Sequence, residues 1–197
     1  MISENIKLFY MISCVLLGLI ILSPTLFSVI PLPEGEGFSE LWILGSNHML
    51  EGYPYEVSPG ITYHVFLDIS NQMGYLEYYL VRVSLRNQSE PMPDNLAGIP
   101  SGLPTAYEYR VFLPNNATWE NEFSFSAEAV SFNGNTNRIS KILIDSQPVE
   151  VDKTAVQNEE DNGFYYELFF ELWIYNSTIS AFNFHNRSVG FWIKLNS

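Results

Sequence analysis

The feature that most constrains this 197-residue chain is the run from Leu8 to Pro33, which contains no charged side chain. An α-helix rises 1.5 Å per residue, so about 20 apolar residues cross a bilayer core, and the run exceeds that length. Inside hydrocarbon each backbone amide must bond within its own segment, which makes a helix the expected conformation. Pro24 falls toward the outer end, where a lost helical bond is tolerated. Lys7 is the basic residue beside the run on its short N-terminal side. Beyond the run, Glu34, Glu36 and Glu40 follow with no basic residue before Arg82. The Lys/Arg rule then places the N-terminus inside and the rest of the chain outside. A cleaved secretory signal would have an apolar core of about 7–15 residues and a small-x-small site. This run is longer, and Phe27-Ser28-Val29-Ile30 is a poor site. Met11-Ile12-Ser13-Cys14 superficially matches a lipoprotein box, yet the apolar run continues well past Cys14. The expectation is therefore an anchor over residues 1–33, with residues 6–30 in a lipid bilayer, and an outer domain over residues 34–197.

Glu4 and Lys7 cancel, so the formal charge of −13 belongs to the outer domain. Nucleic-acid binding needs Lys and Arg to neutralise phosphates, and this balance excludes it. It equally disfavours an electrostatic hold on anionic lipid. Cys14 is the single cysteine, so the outer domain must be stable without an internal disulfide.

Period-two alternation recurs along the outer domain, and that is the signature of strands. In Ile61–Ser70 the odd positions Ile61, Tyr63, Val65, Leu67 and Ile69 are apolar, and most even positions are polar. The same pattern runs through Val81–Leu85, Tyr107–Leu113, Phe123–Ala129 and Val189–Leu195, with shorter candidates at Ser39–Leu44 and Ile139–Ile144. Asn133-Gly134 and Asn162-Gly163 are dipeptides favoured in tight hairpins. Asn87–Ala106 holds four prolines and little period, and reads as a long surface loop. About eight short strands separated by turns predict an antiparallel, immunoglobulin-like β-sandwich, all-β apart from the N-terminal transmembrane helix.

Phe164–Tyr175 is the unusual strand. Its even face is Phe164, Tyr166, Leu168, Phe170, Leu172 and Ile174, a core face. Its odd face mixes Tyr165, Phe169, Trp173 and Tyr175 with Glu167 and Glu171. One reading is a central strand whose odd face is partly covered by an Asn176–Ser188 loop. The other is a contact face built on Tyr165, Phe169, Trp173 and Tyr175 for a protein partner or a sugar.

Asn87, Asn116, Asn176 and Asn186 each open an Asn-x-Ser/Thr acceptor at an expected strand end or loop, so at least one is expected to carry glycan. No metal site is expected, because His48, His64 and His185 are scattered and no Cys-x-x-Cys or His-x-His spacing exists. Asn158–Gly163 has the oxygen density of a calcium loop, but the twelfth position from Asn158 is Phe169 rather than Glu, and an acidic hairpin turn is the plainer reading. Neither a catalytic nor a cofactor motif is present: there is no nucleophile elbow, Walker loop or dinucleotide fingerprint. Glu167 and Glu171 share one strand face but lie about 13 Å apart, beyond the roughly 5–9.5 Å that paired glycosidase carboxylates use.

Phe38-Ser-Glu-Leu-Trp-Ile-Leu-Gly45, then Tyr53-Pro54, then Ser58-Pro-Gly60 entering a strand that ends near Asn71, resembles the outer domain of archaeal membrane proteins of domain-of-unknown-function family 1616. Val189-Gly-Phe-Trp-Ile-Lys-Leu195 is similar to that family's final aromatic strand. Two departures stand out: family members often carry several membrane helices before this domain, and Gln72-Met73 stands where an acidic residue tends to follow the Asn. The resemblance implies an archaeal surface location and an immunoglobulin-like sandwich. It implies no activity.

Two functions are expected to compete. The first is a single-pass, glycosylated cell-surface subunit of a membrane or envelope assembly, with a protein partner. The second is a tethered module that binds carbohydrate or another solute.

Overall fold

The computed structural model describes the backbone of residues 2–29 and 36–195, and the helix side chains of Glu4 and residues 6–21. The chain divides into two units, Met1–Gly37 and Phe38–Ser197. Among its described residues the first contains one helix, α1 (Ile2–Val29). Apolar side chains from Ile6 to Ile21 are exposed on it. Among the described residues no helix is long and apolar enough to cross a membrane. The uncharged run continues to Pro33, and the part of the expected anchor over residues 30–33 lies outside the described residues.

The second unit contains ten strands: β1 (Phe38–Leu44), β2 (Glu56–Val57), β3 (Tyr63–Gln72), β4 (Glu77–Asn87), β5 (Tyr107–Leu113), β6 (Thr118–Asn133), β7 (Thr136–Ile144), β8 (Gln147–Val156), β9 (Phe164–Asn176) and β10 (Ala181–Leu195). They form two five-stranded sheets, ordered β1-β3-β6-β7-β8 and β2-β10-β9-β4-β5. The pairings are antiparallel apart from the short parallel contact of β2 with β10. This is the all-β sandwich that the alternation predicts.

Its core is the set of inward faces read from the period. Val65, Leu67 and Ile69 of β3 face Tyr79, Val81 and Val83 of β4 and the even face of β9, all buried except the partly buried Ile174. Phe123 of one sheet meets Phe170 of the other edge-on, with ring centroids 5.0 Å apart. Each fully buried side chain of this size contributes about 1.5–3 kcal/mol by leaving water. Tyr166 also reaches across the core, where its hydroxyl donates to Asn137 Oδ1 (2.8 Å) and accepts from Ala155 N–H (3.1 Å).

The turns differ from the dipeptide expectation in instructive ways. In the β6–β7 hairpin Gly134 takes φ +58° as the first central residue, so the connecting pair is Gly134-Asn135. The β7–β8 hairpin turns on Asp145 and Ser146, both in the left-handed region (φ +47° and +64°). Asn158–Gly163 closes no hairpin: it carries the chain from β8 in one sheet to β9 in the other. Residues 181–188 belong to β10 rather than to a loop, with a register shift between Phe184 and Arg187. β8 is hard to read from period because Pro148 is its second residue and Lys153 occupies one of its inward positions.

The edge strand β1 is guarded by side chains. Tyr53 O–H donates to the Ile43 carbonyl (2.8 Å) and Arg187 Nε to the Ser39 carbonyl (3.3 Å). Occupied carbonyls blunt an edge that would otherwise template another strand.

Candidate functional site

The outward face of the β10-β9-β4-β5 sheet carries the densest polar chemistry in the second unit. Strand pairing sets Arg86 opposite Glu167 and Arg82 opposite Glu171. Residues four apart on β4 thereby meet residues four apart on β9, two matched rows of opposite charge. Arg86 Nε donates to Glu167 Oε2 at 2.6 Å, and the two side chains are only 6% and 5% exposed. The Arg86 guanidinium lies 4.8 Å from the Trp192 ring centre and also donates to the Glu90 carbonyl (2.7 Å). Glu90 in turn pairs with Lys153 of the other sheet. In the second row, Glu171 Oε1 accepts the Ser101 N–H at 2.7 Å, and the Arg82 guanidinium sits 4.0 Å from the Trp173 ring centre.

This face is roofed by residues 88–106, the proline-rich loop that the sequence marks between β4 and β5. The Arg86–Glu90 and Ser101–Glu171 bonds pin its two limbs. Between them Asp94 and Ile99 form a two-residue bridge, and Asp94 Oδ1 accepts from the N–H groups of Leu96 and Ala97 (both 2.9 Å). Ser188 Oγ donates to Asn95 Oδ1 (3.0 Å), which fastens the tip to β10. Held by these bonds, the tip presents Met92 and Ile99 more than half exposed and Leu96 fully exposed.

Two of the four residues of the expected contact face are withdrawn from solvent. Tyr165 and Phe169 are buried; Gly190 is the cross-strand neighbour of Phe169, and a Cβ there would lie 2.8 Å from the Phe169 Cβ. Trp173 is half-buried against Arg82, and Tyr175 is exposed. The 88–106 loop closes over Glu171 through Ser101, Tyr55 and Asp161 meet the Tyr165 hydroxyl, and Phe184 and Phe182 pack beside Trp173 and Tyr175. Sequence reasoning missed Arg86, although its spacing from Arg82 repeats that of Glu167 and Glu171.

Of the glycosylation acceptors, Asn116 and Asn186 are exposed, at φ +62° and +55°. Asn87 is half-buried: its amide donates to the Thr154 carbonyl and its Oδ1 accepts from Ser89 and Glu90. Asn176 Oδ1 accepts the Thr178 N–H. In the acidic Asn158–Gly163 turn, the Asp161 carboxylate is engaged by Lys194 (3.0 Å) and by the Tyr165 hydroxyl.

A second polar cluster lies on the opposite sheet. Asp68 is 2% exposed and its Oδ2 meets no hydrogen-bond partner. Burial, reinforced by the neighbouring Glu120 carboxylate, pushes its carboxyl up to about 6. His48 covers it, stacked 3.8 Å from the Phe66 ring with Nδ1 3.3 Å from Glu120. Among the described residues no group of three His, Cys, Asp or Glu side chains is placed to hold a metal ion.

A family model described as a domain of unknown function, DUF1616, matches residues 32–174. No curated protein matches the sequence. Solved structures with a similar course of chain include a β-glucosidase from Listeria innocua in complex with glucose, at TM-score 0.43 and 12% identity, covering 82% of this chain but 16% of that one. The CARDB domain of a Pyrococcus furiosus protein, in complex with di-metal ions, aligns at TM-score 0.40 and 10% identity over 81% of this chain and 94% of its own. A PapD-like domain of human CEP192 aligns at TM-score 0.32 and 10% identity over 86% and 92%.

Proposed function

This chain belongs to the DUF1616 family, and from that premise we propose that it is a single-pass, N-glycosylated surface protein of an archaeal cell, whose immunoglobulin-like sandwich serves as an interaction subunit of a membrane or envelope assembly. The uncharged run Leu8–Pro33 is the anchor, with the N-terminus inside, and the acidic second unit is the outer domain. The pairings β3–β6, β4–β9 and β9–β10 across two sheets support the immunoglobulin-like description.

The observation that carries the interaction reading is the braced apolar tip of the 88–106 loop. Single exposed apolar residues are ordinary on any surface. Here Met92, Leu96 and Ile99 share one tip, and its limbs are fixed by the Arg86 bond to the Glu90 carbonyl and by a buried backbone-to-carboxylate bond. A rigid apolar projection loses little conformational entropy on docking, so its burial converts more fully into affinity.

Gentle solubilisation of native membranes, followed by particle-mass measurement, tests this. A large particle of fixed composition that dissociates on Leu96→Asp, with the unfolding midpoint unchanged, is the expected result. A lone monomer from the native membrane would overturn the subunit reading.

A further inference from the structure

We propose that the end of the sandwich at which Phe38 opens β1 is a membrane-contact rim that seats in the headgroup region of a zwitterionic phospholipid bilayer. This rests on reading Leu8–Pro33 as the anchor.

Three turns meet at that end. Residues 73–76 join β3 to β4, 114–117 join β5 to β6, and 177–180 join β9 to β10. Pairing of Phe38 with Gln72 sets the start of β1 beside them. Asn71 binds the first two together: its amide donates to the Tyr75 and Leu113 carbonyls, and Gly74 N–H donates to Asn115. A hollow of roughly 310 Å³ between the turns is lined by Tyr75, Leu76, Phe112 and Tyr175.

The composition of this end differs from the rest of the domain. The unit carries a net charge of −11, yet Met73-Gly-Tyr-Leu76, Pro114-Asn-Asn-Ala117 and Ser177-Thr-Ile-Ser180 contain no Asp, Glu, Lys or Arg. Glu77, next to the first turn, is folded in at 7% exposure. Exposed instead are Tyr75 (57%), Leu76 (59%), Phe112 (64%) and Ile179 (57%). Phe112 is further stiffened by Tyr78, stacked at 4.0 Å. Tyrosine, with its apolar ring and polar tip, is at home between acyl chains and headgroups, and turns without charge suit headgroups that carry no net charge. The opposite end bears the acidic Asn158–Gly163 turn.

Chain length points the same way. Only Glu34–Gly37 separate Pro33 from Phe38, so an extended connection holds Phe38 within roughly 18 Å of the anchor's end. An end tethered so closely meets the interface repeatedly, and a neutral apolar surface there is retained.

The test uses the full chain with Cys14→Ser, reconstituted in phosphatidylcholine vesicles, with single cysteines carrying a fluorophore at Leu16→Cys, Ile179→Cys or Glu159→Cys. Nitroxide on the lipid headgroup is expected to quench the Ile179 probe by about twofold and to leave the Glu159 probe unchanged, while tail nitroxide quenches the Leu16 probe. Quenching at Leu16 with none at Ile179 overturns the rim and leaves the anchor standing. No quenching at Leu16 overturns the anchor and the rim with it. Asn116 and Asn176 lie in or beside these turns, so the rim also requires both to be free of glycan in the native protein, and occupancy at either overturns it.

Discussion

Replacing Arg86 by Met probes the brace beneath the 88–106 loop directly. The substitution keeps most of the side chain's length and apolar volume but removes the charge and its donors. Glu167, at 5% side-chain exposure, then keeps a buried carboxylate without the 2.6 Å partner that compensates it. Breaking a buried pair from one side typically costs about 3–5 kcal/mol, because the remaining charge is left in a low dielectric. Loss of the bond to the Glu90 carbonyl adds about 1 kcal/mol. The expected cost is therefore ~4 kcal/mol or more, a large part of the roughly 5–15 kcal/mol that holds a domain together. Arg86→Met combined with Glu167→Leu removes both charges and is expected to recover most of the loss, since two apolar side chains need no desolvation to be offset. Guanidinium unfolding followed by tryptophan fluorescence reads the free energies, and hydrogen exchange over residues 91–104 reads the loop. The expected pattern is a strongly destabilised single variant with fast exchange in the loop, and a partly restored double variant. An Arg86→Met protein within ~1 kcal/mol of the parent, or strictly additive substitutions, would refute the view that this pair is a coupled, buried brace.

Three further outcomes are expected. Asp68 is raised to about 6 by burial and by Glu120, so the folded state holds a proton that the unfolded chain releases near its ordinary value of about 3.9. Stability should then fall as pH rises from about 4 to 6. Asp68→Asn should flatten that slope and be ~1–2 kcal/mol more stable at pH 8, after discounting for solvent screening. A parallel pH profile for parent and variant would contradict it. Gly190→Ala places a Cβ 2.9 Å from both Glu167 Oε1 and the Leu168 carbonyl; an overpacking cost of about 1–3 kcal/mol should appear in thermal melts. Tyr166→Phe leaves the Ala155 N–H without its acceptor in the core, which should cost ~1–3 kcal/mol in chemical denaturation.

Much of the sandwich was legible from period alone. Alternation is a local property: Val65, Leu67 and Ile69 declare an inward face whatever strand lies beside them. The loop over residues 87–106 announced itself through its four prolines, and the even face of Phe164–Tyr175 proved to be core. Where locality failed, so did the reading. Tyr165, Phe169, Trp173 and Tyr175 share a strand face, but whether such a face meets water depends on what crosses it, and here a loop more than sixty residues earlier in the chain does so.

Charge, the long uncharged run and the alternation belong to the sequence by itself, because each is set by residues a few positions apart. The assignment of Arg86 to Glu167, the close approach of Phe169 to Gly190, the burial of Asp68 beside Glu120 and the gathering of three neutral turns at one end belong to the tertiary structure. Each requires a strand register or a sheet-to-sheet crossing. Register is chosen by the whole set of cross-strand contacts at once, and no short window of sequence holds that sum.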